Sequence, residues 1–172
     1  MILPKKRDLR LITIRRGGTL TDEHHRLLAK WALACAEHVL PLFEEHAPRR
    51  DRRPHEALEI GRAWMRGEAT MRDAHNAAFQ ANAAGRGLPD PAKLAALSAG
   101  QAVAVAHVAA HDLGAAAYAI RAAGAAVADD KRERAQAKER TWQRKRLPAA
   151  VRELVLDDQR RRSAICWNVF DE

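Results

Sequence analysis

Ala102 to Ala126 reads AVAVAHVAAHDLGAAAYAIRAAGAA, and its reading decides the fold. Alanine is the best helix former, because its methyl group loses no rotamer freedom when the backbone winds. Fully helical, the stretch would span about 37 Å at ~1.5 Å per residue. Only His107, His111, Asp112 and Arg121 interrupt a surface of small side chains. Such a helix has no polar face to turn to water, so it is expected to be buried nearly all round, as a post for the others. An unbroken helix from Pro91 to Gly124 would be unusually long for one domain. A bend near His111 to Gly114 is therefore expected, giving two antiparallel or angled helices. The length approaches the ~20 residues of a membrane span. However, His107, His111 and Asp112 fall in its middle and alanine drives insertion weakly, so it reads as the core of a soluble protein.

The flanking segments carry helix signals. Thr21 reads as an N-cap, with Asp22 and Glu23 in the first turn where the helix dipole favours negative charge. Leu28, Trp31, Cys35, Val39 and Leu42 then form one apolar face, and Pro41 is expected to kink or end the helix near Leu40. Residues 47–54 read as a polar loop. Pro54 opens a second helix with Ala57, Leu58, Gly61, Trp64 and Met65 inward, closed by Gly67. Thr70 opens a third, with Met71, Ala74, Ala78 and Phe79 inward, up to Gly85. Asp90 and Pro91 start the central segment. Asp129 or Asp130 caps a charged helix running to Arg146, whose Trp142 is expected as a core anchor. Pro148 restarts a helix with Val151, Leu154 and Val155 inward, and the apolar 165–170 segment packs back. The expected fold is all-α: a single-domain multi-helix bundle over residues 19–172, around an Ala-rich central helix or helix pair. A basic, extended N-terminal arm over residues 1–18 precedes it. Within that arm, Leu9 to Ile14 has the β-branched content of a short strand, with Cys166 to Phe170 as its only candidate partner.

Composition narrows the class further. The 172 residues suit one domain, and 47 % hydrophobic with 30 % charged residues is ordinary for a folded chain. Cys35 and Cys166 have no partner spacing and no export segment precedes them, so reduced, buried thiols in a cytoplasmic protein are expected. The net charge of +8 is unevenly placed. Residues 1–16 hold six Lys/Arg against one Asp, and residues 131–162 hold twelve against five Asp/Glu. The middle is close to neutral. Basic ends of this kind attract an acidic protein or a phosphate backbone.

Chemistry-bearing patterns are sparse. His107 and His111, four apart, could present two imidazoles to a metal from one helical face. Zinc proteases place a glutamate directly after the first histidine, and here Val108 stands there. Further ligands would be needed, for which Asp112 and His75 are candidates; a structural role is favoured. His24 and His25 read as a solvent-facing pair, and His38 and His46 as surface or half-buried. The chain has no G-x-S-x-G elbow and no phosphate loop, and its carboxylates have nothing to position a substrate. In Lys131 to Arg146 (KRERAQAKERTWQRKR), Glu133 and Glu139 sit among the positive charges. The segment reads as a solvated, salt-laced face or a protein-docking face ahead of a nucleic-acid site.

Three stretches carry a resemblance: Leu11 to Phe43, Gly100 to Ala122, and Trp142 to Phe170. Together they resemble the all-helical immunity proteins of bacterial polymorphic-toxin neighbourhoods. Some relatives there carry an exonuclease-subunit label, but this chain has no ATPase motif. The resemblance implies an inhibitor that binds a cognate toxin protein by shape and charge, without catalysis and without a cofactor. Contact is expected from Arg49, Arg50, Arg52, Arg53, Arg140 and Arg144. A homodimer stays open; a membrane is not expected. The alternatives are a metal-binding protein or metal-dependent enzyme using His107 and His111, and nucleic-acid association through the basic ends.

Overall fold

The computed structural model describes residues 2–171. Among them are seven α-helices: α1 (Asp22–Glu44), α2 (Arg53–Arg66), α3 (Met71–Ala84), α4 (Asp90–Ala104), α5 (Asp112–Ala125), α6 (Arg132–Lys145) and α7 (Ala149–Arg162). The architecture is an all-α multi-helix domain. α4 and α5 pack most extensively on each other, α1 lies across both, and α3 and α6 flank them on α4 and α5 respectively. None of the helices among the described residues is long and apolar enough to cross a membrane.

The centre is built from methyl groups. In α5, Ala115, Ala116, Ala117, Ala119 and Ala122 are fully enclosed, and α4 buries Ala92, Ala95, Ala96, Ala99 and Ala102. Short side chains let backbones approach until polar groups bridge them directly: Ser98 Oγ on α4 donates to the Ala115 carbonyl on α5 at 2.8 Å. Gly100 marks a close approach between α3 and α4. A Cβ there would stand 2.1 Å from Asn82 Oδ1 and 3.0 Å from the Ala78 carbonyl oxygen. Alanine is normally better than glycine inside a helix by about 1 kcal/mol. At this site overpacking against a backbone carbonyl reverses the sign, and Gly100→Ala is expected to destabilise by about 1–3 kcal/mol in urea denaturation. A stabilised variant would mean that the two helices do not meet at this position.

The expected bend exists but starts earlier, at Val105. Val108 is extended (φ −141°, ψ 105°), and a 3₁₀ turn over Ala109–His111 leads into α5. His25 explains the early exit. Its Nε2 lies 2.6 Å from the Val105 carbonyl and takes the place of a continuing helical N–H. His25 is therefore buried, not a solvent-facing neighbour of exposed His24.

Other expectations are corrected by tertiary burial. α1 continues through Pro41 to Glu44. The proline ring sits on the exposed side while Leu40 and Phe43 are buried, so core contact outweighs the lost N–H. The N-terminal segment forms 3₁₀ turns at Leu9–Leu11 and Ile14–Arg16, with a single bridge between Thr13 and Leu20 in place of a strand. Residues 164–166 are also a 3₁₀ turn, followed by Trp167 and Asn168 with φ of 58° and 57°, which excludes the ribbon partner. Met71 and Phe79 face outward. Trp142 is half-buried, and the residues α6 does bury are Glu139 and Gln143.

A buried ionic cluster fastens α7 to the bundle. Arg162 (4 % exposed) donates through Nε to Asp158 Oδ1 at 2.9 Å and through Nη1 to the Ala110 carbonyl at 2.9 Å. Its Nη2 reaches Asp158 Oδ2 and, at 3.4 Å, Asp112 Oδ1. Asp112 is wholly enclosed, and its Oδ2 has no hydrogen-bond partner among the described residues. Outside this cluster, Arg10 bridges Asp8 and Asp157 and holds the N-terminal segment against α7.

Candidate functional site

The bend between α4 and α5 creates a hollow lined by aromatic, basic and apolar side chains. The N-terminal turns cross in front of it and enclose a cavity of about 460 Å³. Its inner wall is His25, Trp64, Ala106 and His107; its rim carries Arg7, Arg15, Arg16 and Met71. His25 meets Trp64 edge-on at 5.0 Å between ring centroids, and burial pushes its pKa down. Arg16 crosses the opening. It donates Nη1 to the His107 carbonyl at 2.8 Å, and its Nη2 lies 3.2 Å from Met71 Sδ. Arg15 pairs with Asp22 at 3.0 Å.

Beyond the rim the same face continues along α3. Met71, His75 and Phe79 stand four apart, which stacks them on one side of the helix. The His75 ring meets Phe79 at 4.9 Å and His107 at 4.7 Å. Phe79 is 60 % exposed and Met71 45 %. An apolar strip rimmed by guanidiniums can take another protein surface.

The histidines meet, but not on a helix. His107 lies in the turn and His111 in the 3₁₀ segment, with ring centroids 5.2 Å apart. His75 comes close, whereas Asp112 turns away to Arg162. His111 Nδ1 is 2.8 Å from Gln101 Oε1, which makes it the donor to that amide oxygen. Burial pushes the His111 pKa down to about 4 and that of His107 below its usual value. Among the described residues no group of three His, Cys, Asp or Glu side chains is placed to hold a metal ion. Both thiols are buried, and burial pushes their pKa up. Neither is poised as a nucleophile.

The arginines expected to make contact divide into two groups. Arg49, Arg50 and Arg52 are exposed in the α1–α2 connection, and Arg53 is half-buried with its guanidinium on Asp51 at 2.6 Å. Arg140 and Arg144 are half-buried and tie down the C-terminal segment. Arg140 donates to the Val169 carbonyl at 3.0 Å, and Arg144 to the Phe170 carbonyl at 2.8 Å and Gln159 Oε1 at 3.0 Å. Trp142, the aromatic of the basic helix, is stacked by His38 at 3.7 Å and covered by the Arg146 guanidinium at 3.8 Å. Two groups that close to one ring centre must lie on opposite faces, so no bare face remains for a nucleic-acid base.

The sequence profile of one family, described as Imm-5 like putative immunity protein, matches residues 18–150. The chain belongs to that family. No curated protein and no solved structure matches it. The matched range covers α1 to α6 and includes His25, Trp64, Met71, His75, Phe79 and His107. The Imm-5 like description points to a toxin as partner in general terms and to a non-catalytic role.

Sequence reading missed this face. Its signal lay in α3, where Ala74, Ala78 and Ala81 are buried and Met71, His75 and Phe79 are centred roughly 90° further round at 100° per residue. One helix thus carries two apolar stripes. Only one of them can face the bundle.

Proposed function

We propose that this protein binds and neutralises a cognate bacterial toxin in the cytoplasm, as a stoichiometric inhibitor without turnover. The observation that carries this reading is the Imm-5 like family match over residues 18–150. The geometry agrees with it. Large apolar side chains and arginines share one open face, an arrangement that favours recognition by shape and charge. The net charge of +8 favours an acidic partner and speeds encounter with it.

Co-expression tests the reading. The chain is expected to restore growth to cells expressing the toxin encoded beside its own gene, and to co-purify with that toxin at a fixed ratio. Growth arrest despite stable expression of the chain, together with no complex between the purified proteins, would overturn it.

A further inference from the structure

The geometry points to one docking surface for that partner: the strip formed by Arg16, Met71, His75 and Phe79 at the mouth of the α4–α5 bend. Its occupant is an acidic segment of the toxin carrying an apolar side chain. The inference rests on the toxin-binding reading and adds the face and the chemistry of what sits on it.

Three observations select this face. First, two exposed large hydrophobic side chains, Met71 and Phe79, stand on one stripe of α3 beside Arg16 and the cavity. The α1–α2 connection offers arginines but no exposed large apolar side chain among the described residues, and Trp142 on α6 is already covered on both sides. Second, the charge has one sign. The cavity is lined by Arg7, Arg15 and Arg16 and by no acidic residue. Asp22 offsets Arg15, but Arg7 has no hydrogen-bond or ion-pair partner among the described residues, and Arg16 spends its guanidinium on a carbonyl and a thioether, not on a carboxylate. A carboxylate brought to the rim gains charge-assisted hydrogen bonds without first breaking an ion pair at Arg7 or Arg16. Third, the cavity behind the rim, at about 460 Å³, has room for a side chain, and Trp64 and His25 supply an aromatic wall. A buried anchor surrounded by charge is the usual anatomy of a tight protein interface.

Titration calorimetry decides the matter, with the toxin encoded by the adjacent gene, catalytically disabled, as the probe. Arg16→Glu, Met71→Asp and Phe79→Asp are each expected to weaken binding by about 30-fold or more, the range of interface hot spots. These side chains are exposed, so the melting temperature checks that each variant remains folded. Trp167→Ala, at an exposed aromatic of the C-terminal turn away from this face, is expected to stay within about threefold of the unmodified protein, because exposed apolar area outside the contact adds little to binding. If the unmodified protein binds and the three strip variants bind equally well, the docking surface is wrong and the toxin reading stands. If a short DNA duplex competes the toxin off this face, the acidic-protein occupant is wrong. If the unmodified protein neither binds the toxin nor protects cells, the function reading falls and this inference falls with it.

Discussion

Arg162→Ala is expected to destabilise the protein by about 3–5 kcal/mol, the cost of leaving buried charges without their counter-ion. The substitution strands Asp158, which is 3 % exposed, removes a donor from the Ala110 carbonyl, and deprives Asp112 of the cation beside it. Equilibrium urea denaturation measures the effect. A loss below 1 kcal/mol would mean that α7 is held by its apolar contacts alone. Asp112→Asn is the informative contrast. Burial pushes the Asp112 carboxyl from its ordinary 3.8 up to about 7, with Arg162 pulling the other way. A carboxyl whose pKa is raised by folding stabilises the folded state in its protonated form. That contribution is complete below about pH 4 and is lost as pH rises towards 7. Stability of the unmodified protein should therefore fall, relative to Asp112→Asn, between pH 4 and pH 7. Parallel stability profiles for the two proteins across that window would contradict the assignment.

Trp31→Ala carries an expected cost of similar size, about 3–5 kcal/mol. Trp31 is 1 % exposed at the middle of α1, and its indole Nε1 donates to the Gln143 carbonyl on α6 at 2.9 Å. Alanine would leave a cavity in a region built from side chains too short to collapse into it, which places the cost towards the upper end. The carbonyl is partly spared because the Arg146 N–H also reaches it, at 3.1 Å. Calorimetric melting of this variant beside Trp167→Ala gives a direct comparison. Trp167 is 44 % exposed, and its loss should shift the transition far less. Equal shifts would place Trp31 outside the cooperative core.

The helices were legible where local chemistry decides them. Thr21 accepts from the His24 N–H as an N-cap, and Thr70 with Asp73 forms a complete capping box. Gly67 ends α2 in the left-handed region that glycine tolerates best. The alanine run announced the centre of the bundle. What could not be read was decided by distant partners. His25 draws the Val105 carbonyl out of the helix from 80 residues away, which no local pattern around Val105 encodes. Arg162 takes Asp112 from a distance of 50 residues and so removes it from any site with the histidines. Glu139 and Gln143 are buried on a highly charged helix because they satisfy each other, His38 and the Ala116 carbonyl. A hydrophobic pattern is blind to polar groups that find partners inside, even where one atom, here Gln143 Oε1, is left without a partner among the described residues. The docking strip escaped notice for a simpler reason: Met71 and Phe79 are apolar, and reading assigned them inward by type.

The alanine centre has one more consequence. A methyl side chain has no torsion to adjust, so the spacing of α4 from its neighbours is dictated by their backbones, with Ser98 as a fixed point of contact on α5 and Gly100 on α3. Neighbours there cannot swing aside to admit a larger substituent, as leucines or methionines in an ordinary interior can. Substitutions are therefore expected to be tolerated mainly on the exposed sides of α1, α3 and α6 and in the N-terminal turns. An inhibitor of the kind proposed above would gain from that division: an unyielding interior holds its shape whichever side chains the perimeter carries.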